Sequence, residues 1–254
     1  MIDKTMHIIE GTPRRIGVFS DIHGNLHALE SVLEQMTSLG ADVMICCGDV
    51  VGYGGNPNEC VNILRERQIS TIAGNHDFAA LDLTDSGTFN PAARRAIIWT
   101  QEALTPENAR WLRERPLDIE AFGMLFVHAS PLNPHEWSYI ITMGDARESF
   151  RHFTHRFCFI GHSHMPFVVE NENGRLNGPC TPVIQIKKSC RYIVNVGSVG
   201  QPRDRNPDSC FTILDLDAGS LQFHRVKYDL DGAQKEIRLQ GLPPELADRL
   251  AHGR

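Results

Sequence analysis

Five short segments of the chain are rich in histidine, aspartate and asparagine, the residue types that commonly bind metal ions. They are Asp21-Ile22-His23-Gly24-Asn25, Gly48-Asp49, Gly74-Asn75-His76-Asp77, His128-Ala129-Ser130-Pro131 and Gly161-His162-Ser163-His164. These segments supply imidazole, carboxylate and amide groups and no thiolate. Such a set suits Mn, Fe, Co, Ni or Zn, whereas Ca and Mg prefer oxygen ligands. The sequence therefore predicts a transition-metal site.

The number of candidate ligands indicates two metal ions rather than one. A tetrahedral zinc site needs three or four ligands, and the segments offer seven: Asp21, His23, Asp49, Asn75, His128, His162 and His164. Two ions that share one carboxylate would use all of them, with Asp49 as the bridge because it lies in the central turn. Two ions roughly 3.5–4 Å apart can hold a hydroxide and stabilise an in-line displacement at phosphorus.

Each of these residues also has an ordinary structural interpretation. A lone histidine in a turn is usually a hydrogen-bonded surface or core residue. We apply that interpretation to His27, His135, His152, His155 and His224. Turn or cap roles would account for Asp21, Asn25 and Asn75. Five of the twelve histidines nevertheless lie in the motif segments, and four of them are within three residues of a glycine. This clustering favours the metal-site interpretation.

The candidate ligands follow short apolar runs rich in β-branched residues, which predict strands. These strands are expected at 16–20, 43–47, 69–73, 124–127, 157–160 and 192–196. Helices are expected at 25–38, 57–67, 91–103, 106–114 and 144–153, with Pro57 and Pro106 in first turns. Ligands bind beyond the carboxyl ends of strands in open α/β sheets. We therefore expect the six strand-end turns to converge on one crevice.

The C-terminal part of the chain has a different pattern. Strands are expected at 166–170, 183–194, 210–216 and 221–228, and a short helix at 243–251. This pattern predicts antiparallel strands appended to a parallel start. No repeat or linker interrupts the chain, so we expect a single domain over residues 1–254.

Composition narrows the class of protein. The 254 residues are 41% hydrophobic and 22% charged, as in packed soluble domains, and the net charge is -6. That balance argues against electrostatic binding to nucleic acids or membranes. No apolar run reaches membrane-spanning length, and residues 1–15 lack the apolar stretch of a signal peptide. Seven cysteines without a C-x-x-C motif indicate free thiols in a reducing compartment, so we expect a cytoplasmic protein.

Taken in order, the motifs DIHGN (21–25), GDVVGYG (48–54), GNHD (74–77), HASP (128–131) and GHSH (161–164) resemble the calcineurin-like metallophosphoesterase superfamily. The segment NVGSVGQPRDR (195–205) is similar to that of a bacterial branch of small phosphodiesterases. This branch is related to diadenosine tetraphosphatases and Ser/Thr protein phosphatases. The resemblance implies an α/β fold, a four-layer αββα sandwich of two mixed β-sheets flanked by helices.

The resemblance also implies roles for individual residues. The first metal would be bound by Asp21, His23 and His164, the second by Asn75, His128 and His162, with Asp49 between them. His76 would be the catalytic histidine that is not a ligand and that assists the leaving oxygen. The implied activity is hydrolysis of a phosphate ester, most simply a diester, by a metal-bridging hydroxide. The cofactors would be two divalent ions among Mn, Fe, Zn, Ni and Co, with Mn the first choice. The substrate would be a small phosphate ester or a nucleotide.

The chain departs from the protein phosphatases at two motifs. They carry GDYVDRG and GNHE where this chain has residues 48–54 and 74–77. The carboxylate that orients the catalytic histidine and the arginine that binds phosphate are both missing from that loop. The sequence therefore does not identify the residue that orients His76. Arg203 is the candidate for phosphate binding, because it follows a glycine turn and guanidinium binds phosphate bidentately. A purely structural arginine is the alternative.

Other functions remain as alternatives. Dinucleoside polyphosphate hydrolysis and phosphomonoester hydrolysis are the nearest, and a non-catalytic protein of the same fold is the third. The Gly52-Tyr53-Gly54 turn is a weak dinucleotide fingerprint because Pro57 replaces its third glycine. No Walker A or G-x-S-x-G motif occurs in the sequence. Substrate specificity is expected in residues 78–120, 132–156 and 171–191, and the sequence leaves the oligomeric state open.

Overall fold

The computed structural model describes residues 12–254, which contain two six-stranded β-sheets. The first sheet has the order β3-β2-β1-β11-β12-β9, formed by β1 (Arg15–Phe19), β2 (Val43–Cys46), β3 (Ser70–Thr71), β9 (Val183–Gln185), β11 (Ser209–Asp215) and β12 (Ser220–Val226). The second has the order β4-β5-β6-β10-β7-β8, formed by β4 (Asp118–Ala121), β5 (Met124–Val127), β6 (Phe157–Ile160), β7 (Phe167–Glu172), β8 (Arg175–Asn177) and β10 (Cys190–Asn195).

Eight α-helices accompany the sheets in the described part of the chain. They are α1 (Leu26–Ser38), α2 (Pro57–Glu66), α3 (Asn75–Ala80), α4 (Pro91–Ala103), α5 (Pro106–Arg113), α6 (Met143–Ser149), α7 (Leu230–Leu239) and α8 (Pro244–Asp248). Short 3-10 helices lie at Ser86–Thr88, Pro134–Glu136 and Arg249–His252. Among residues 12–254, no helix has the length and apolar character needed to cross a membrane.

The two sheets enclose the central core, and helices cover their outer faces. Alternation along the strands produces this layering, because successive side chains point to opposite faces. Phe126 and Phe159 pack in the core between the sheets, whereas Val127 and Ile160 pack with Phe150 beside α6. On the other side, α1 and α2 cover the first sheet with the fully buried residues Leu29, Val32, Val61 and Leu64. The predicted four-layer αββα sandwich is confirmed.

Strand direction explains why the predicted ligands meet. Strands β1, β2 and β3 are parallel in the first sheet, and β5, β6 and β10 are parallel in the second. These six strands correspond to the six predicted at the start of the motif turns. The expected antiparallel additions are also present, since β11 pairs antiparallel with β1, and β12 with β11.

Several predicted elements were wrong in extent. The single strand expected at 183–194 is two strands in different sheets: β9 pairs with β12, and β10 pairs with β6. The chain turns at Lys187, whose carbonyl accepts the N–H of Cys190. The strand expected at 69–73 is confined to residues 70–71, and the helix expected at 144–153 ends at Ser149. Strands β4 and β8 and helices α3 and α7 were not predicted.

The predicted domain over residues 1–254 extends beyond the described part of the chain, since residues 1–11 lie outside it. Its single-domain organisation stays a prediction. The seven cysteines all lie in the described part, where each is free and six are buried.

Candidate metal centre

Backbone hydrogen bonds join the strand-end turns at one edge of the two sheets. The N–H of Asp21 donates to the carbonyl of Gly48 at 3.0 Å, and the N–H of His23 donates to that of Asp49 at 2.9 Å. From the opposite side, the N–H of Gly200 donates to the carbonyl of Asp21 at 2.9 Å. The main chain thereby positions side chains that are far apart in sequence.

The candidate ligands form two buried clusters that share Asp49. The first contains Asp21, His23, Asp49 and His164, and the second contains Asp49, His128 and His162. Within each cluster, one donor atom per residue lies within 4.8 Å of the others. Asp49 Oδ2 is 3.6 Å from His23 Nε2 and 3.3 Å from His128 Nε2. Asn75 completes the set, with Oδ1 at 3.1 Å from His128 Nε2. All seven predicted ligands are therefore together, while their roles as ligands stay a prediction.

Backbone carbonyls orient three of the histidines. His23 Nδ1 lies 3.1 Å from the carbonyl oxygen of Val51. The corresponding distances are 2.7 Å from His128 Nδ1 to the carbonyl of Cys47 and 2.6 Å from His164 Nδ1 to that of Gln201. A carbonyl oxygen can only accept, so each Nδ1 carries the hydrogen, and in the neutral rings of His23 and His164 the Nε2 lone pair is left free. His23 Nε2 and His164 Nε2 lie 3.1 Å apart. Two facing lone pairs repel, and a cation between them would relieve that repulsion.

His162 presents a second donor that suits a metal. Its Nε2 is buried and has no hydrogen-bond partner among the described residues. Burial lowers the pKa of His162 to about 3, so the ring is neutral at neutral pH. A buried polar atom normally has a partner, and His162 belongs to the cluster formed with Asp49 and His128.

The buried charges in the centre also fit cations. Burial opposes the charge on Asp21 and Asp49, but the surrounding imidazoles hold the pKa of both carboxyls well below its usual range. Burial also opposes a charge on His128, yet Asp49 beside it raises the pKa of His128 to about 9. Burial lowers the pKa of His23 and His164. Two carboxylates then face one imidazolium, and the remaining buried negative charge would be compensated by divalent ions.

The backbone at the centre is strained in a way that the sequence did not reveal. Five candidate ligands have left-handed backbone, with φ between 51° and 66°: Asp21, His23, Asp49, His162 and His164. Non-glycine residues rarely adopt this conformation, and such strain is concentrated at functional sites. Two neighbouring glycines allow close approach. A Cβ at Gly74 would lie 2.1 Å from Asp49 Oδ1, and one at Gly161 would lie 2.4 Å from Asp21 Oδ2.

Aromatic rings, together with one backbone hydrogen bond, position His76. Its N–H donates to Asp49 Oδ1 at 2.8 Å. Its ring lies 4.5 Å from that of Tyr53, 4.8 Å from that of Phe89 and 4.8 Å from that of His23. His76 Nδ1 is buried and has no hydrogen-bond partner among the described residues. Burial lowers the pKa of His76 to about 4, so the imidazole is neutral at neutral pH.

Asp77 is a positioning residue that the sequence reasoning missed. It is fully buried, and its carboxylate accepts the backbone N–H groups of Val50 at 2.9 Å, Val51 at 3.1 Å and Gly74 at 2.9 Å. It therefore holds the turn that follows Asp49 against the turn that carries Asn75. The available signal was its position three residues after Gly74, the spacing of a capping box.

We expect Asp77→Ala to lower the affinity for Mn by roughly 10- to 100-fold, the usual effect of removing a residue that supports metal ligands. The three N–H groups would lose their acceptor, and the Asp49 and Asn75 turns would no longer be held in register. Titration calorimetry of the metal-free protein measures this affinity. Asp145→Ala is a matched control, because Asp145 accepts the N–H groups of Ile141 and Thr142 at the exposed start of α6. Equal losses in both variants would contradict the positioning role.

Arg203 lies beside the centre without a carboxylate partner among the described residues. Its Nη2 donates to Gln201 Oε1 at 3.0 Å and to Tyr53 Oη at 3.3 Å, and its Nε is buried and unpartnered there. By contrast, Arg225 is paired with Asp204. The guanidinium of Arg203 is held by neutral groups and keeps its charge available for an anion.

A cavity of about 510 Å³ opens at the centre. Asn75, His76, His162 and Arg203 line it, so two of the seven candidate ligands, the candidate catalytic histidine and the candidate anion-binding residue share one space. Its volume lies within the roughly 300–1,000 Å³ typical of small-molecule sites.

Comparison with known proteins agrees with this arrangement. Residues 15–219 match the calcineurin-like phosphoesterase superfamily domain. The chain is 37% identical over 243 residues to an uncharacterized protein of Methanocaldococcus jannaschii, covering 94% of this chain and 98% of that protein. It is also 37% identical to the crystal structure of a metallophosphoesterase from Sphaerobacter thermophilus, with a TM-score of 0.83 and coverage of 96% and 100%.

A shorter similarity points in the same direction. Over 78 residues the chain is 31% identical to serine/threonine-protein phosphatase 2 of Escherichia coli, covering 30% of this chain and 36% of that protein. The family match covers every described strand except β12 and all six motif turns. With the αββα fold and the convergence of the motif residues, it confirms the predicted family: the chain belongs to the calcineurin-like phosphoesterase superfamily.

Proposed function

We propose that this protein is a dinuclear metal-dependent phosphoesterase, and specifically a phosphodiesterase. The observation that carries the proposal is the shared carboxylate: Asp49 belongs to two buried donor clusters, and the second of them reaches the wall of the cavity through His162. The proposed ions are two among Mn, Fe, Zn, Ni and Co, with Mn expected to support activity best. Family membership supports hydrolysis of a phosphate ester.

In this proposal, bound ions act as Lewis acids and lower the pKa of water, the chemistry that paired metals supply in phosphoesterases. The chain contributes the remaining functions. Arg203 would bind a non-bridging phosphoryl oxygen through charge-assisted hydrogen bonds. The neutral imidazole of His76 would donate a hydrogen bond from its N–H to the departing oxygen.

Apart from the proposed ions, the side chains that line the cavity supply little positive charge, and this suits a singly charged diester. Arg203 is the one arginine or lysine among the residues that line the cavity, and the carboxylates Asp85 and Glu136 line it too. A diester carries one negative charge at its phosphate, whereas monoesters and polyphosphates carry more. Dinucleoside polyphosphates and phosphomonoesters are therefore the alternatives that the substrate test must include.

Chelation and metal restoration test the activity. We expect the purified protein to hydrolyse bis-p-nitrophenyl phosphate, to lose turnover after treatment with a chelator, and to regain it with Mn, Ni or Co. Metal analysis should give two ions per chain. The same assay with p-nitrophenyl phosphate and a dinucleoside tetraphosphate compares the substrate classes. Absence of bound metal and of turnover with every ion would favour a non-catalytic protein of this fold.

We expect Arg203→Ala to lower kcat/KM by roughly 10- to 1000-fold, from the loss of a charge-assisted hydrogen-bond pair to the substrate. Metal content should not change, because the Arg203 side chain donates to Gln201 and Tyr53, and its hydrogen bond to the candidate ligand His164 comes from the backbone N–H, which alanine keeps. Arg203→Lys serves as the matched control and should retain part of the activity, since it keeps a charge without the bidentate geometry. Unaltered kinetics in a folded Arg203→Ala protein would make the residue structural.

We also propose a cytoplasmic location. Its support is the state of the cysteines, which are free in the described part of the chain. Proteins of oxidising compartments commonly form disulfides.

A further inference from the structure

Two series of neighbouring rings lead from the candidate metal centre into the cavity. In the first, Tyr53 lies 4.5 Å from His76, which lies 4.8 Å from Phe89. In the second, the ring of Tyr139 stacks on His162 at 4.0 Å with an interplanar angle of 21°. Trp137 approaches His128 edge-on at 5.8 Å. Four aromatic residues line this cavity: Tyr53, Phe89, Trp137 and Tyr139.

Two of these rings are held in positions that ordinary folding does not favour. Tyr139 is 49% exposed although it lies against the buried His162. Trp137 has a left-handed backbone with φ 55°, an outlier for a bulky residue. Its Nε1 is buried without a hydrogen-bond partner among the described residues. The exposed ring of Tyr139 loses the stabilisation that burial would give, and the strained backbone of Trp137 destabilises the fold. We therefore expect that these two rings are positioned to bind a ligand.

The same cavity also carries polar groups suited to the edge of a planar ligand. Asp85 and Glu136 line it, and each uses one oxygen locally: Asp85 Oδ1 accepts the N–H of Gly87, and Glu136 Oε1 accepts from Asn133 Nδ2. Their second oxygens remain as acceptors for an amino group. Asn90 lines the cavity as well, and its Oδ1 accepts the N–H of Ala93, which leaves its amide N–H groups to donate. A plain hydrocarbon ring would form no hydrogen bonds with these groups.

We infer that this cavity binds the nucleobase of a nucleotide ester whose phosphate lies at the metal centre. The inference rests on the proposed function and narrows its substrate class. A nucleobase combines flat faces, which stack on aromatic side chains, with amino and ring-nitrogen groups at its edges. Tyr139 and Trp137 would stack on the base, and Asp85 and Glu136 would accept from its exocyclic amino group. A cavity of about 510 Å³ has room for a base and sugar beside the phosphate.

A comparison of three ligands tests the inference, using the unmodified protein loaded with Mn. Titration calorimetry compares AMP with ribose 5-phosphate, which lacks the base, and with phenyl phosphate, whose ring has no polar edge. We expect AMP to bind at least about 10-fold more tightly than either, given the usual strength of base stacking. Equal affinity for AMP and ribose 5-phosphate would overturn the inference. Equal affinity for AMP and phenyl phosphate would also overturn it, because the cavity would then recognise any aryl ring and not the polar edge of a base.

Variants locate the base within the cavity. Tyr139→Ala should weaken AMP binding by roughly 5- to 150-fold and ribose 5-phosphate binding by less than about twofold. Tyr139→Phe keeps the ring and should retain AMP affinity. If Tyr139→Ala proves unstable, fluorescence replaces it: AMP should quench tryptophan emission in the unmodified protein and in Trp111→Phe, but not in Trp137→Phe. Quenching that persists in Trp137→Phe would contradict a base at that residue.

The two proposals can fail separately. Turnover of bis-p-nitrophenyl phosphate with no preference for AMP would retain the phosphodiesterase and reject the nucleobase. Preferential AMP binding without turnover of any ester would reject the catalytic proposal and retain the binding site.

Discussion

Asp49→Asn is expected to lower kcat/KM for bis-p-nitrophenyl phosphate by about 10³-fold or more and to reduce bound metal below two ions per chain. Asp49 belongs to both donor clusters, and its Oδ2 lies 3.3 Å from His128 Nε2 and 3.6 Å from His23 Nε2. An amide nitrogen at that position cannot bind a metal or supply the negative charge between two ions. Metal ions supply several kcal/mol of transition-state stabilisation, and each 1.4 kcal/mol corresponds to about a tenfold change in rate.

The substitution is suited to separating chemistry from folding. The N–H of His76 donates to the other oxygen, Oδ1, at 2.8 Å, and an asparagine oxygen can accept that hydrogen bond. Metal analysis, circular dichroism and steady-state kinetics measure the three properties. Asp145→Asn, a carboxylate on the exposed start of α6, is the control and should leave kinetics and metal content unchanged. An active Asp49→Asn protein with two bound ions would refute the shared-carboxylate centre.

His76→Ala is expected to slow alkyl and nucleoside esters by roughly 10² to 10⁴-fold and nitrophenyl esters much less. An alkoxide is a poor leaving group and needs a hydrogen bond or a proton as it departs, whereas p-nitrophenolate leaves readily as an anion. His76 is placed for this role, because it lines the cavity and its backbone N–H is bonded to Asp49. Burial lowers the pKa of His76 to about 4, so at neutral pH the ring is neutral and would stabilise the departing oxygen by a hydrogen bond from its N–H rather than by proton transfer.

Leaving-group dependence distinguishes this role from positioning. Rates are measured for a series of methyl, nucleoside and nitrophenyl diesters with the unmodified protein and with His76→Ala, together with metal content. His135→Ala is the matched control, since His135 also lines the cavity but is exposed and lies in the Pro134–Glu136 segment. Equal losses on all esters would make His76 a positioning residue. Loss of metal would make it a ligand.

Much of the centre was predictable because its information is local in the sequence. Each candidate ligand follows a short apolar run, and all but His128 lie within three residues of a glycine, so strand, turn and ligand are encoded in one short segment. Parallel strands place their carboxyl ends at one edge, and this explains why Asp21, Asp49 and His162 meet without any contact being known in advance. The order of the motifs added the family and its αββα fold.

The hydrophobic pattern alone could not predict the position at which the chain passes from one sheet to the other. Residues 183–194 alternate as a strand should, but β9 and β10 lie in different sheets, separated by the turn at Lys187. Periodicity reports that a residue is buried, not which layer buries it. Helix α7 was not predicted for a different reason: Gly232 in its first turn weakens the helical pattern.

The amino-acid sequence by itself determined which residue types could bind metals, which strands carry them, and which family the chain resembles. Only the tertiary structure decided what supports those residues: the left-handed backbone of five candidate ligands, the three N–H groups held by Asp77, and the rings around His76. It also decided that four aromatic residues from separate segments line one cavity beside the centre. The physical reason is range. Turn chemistry and alternation act between near neighbours in the chain, whereas ring packing, buried hydrogen bonds and cavity shape arise between segments that meet only when both sheets have formed.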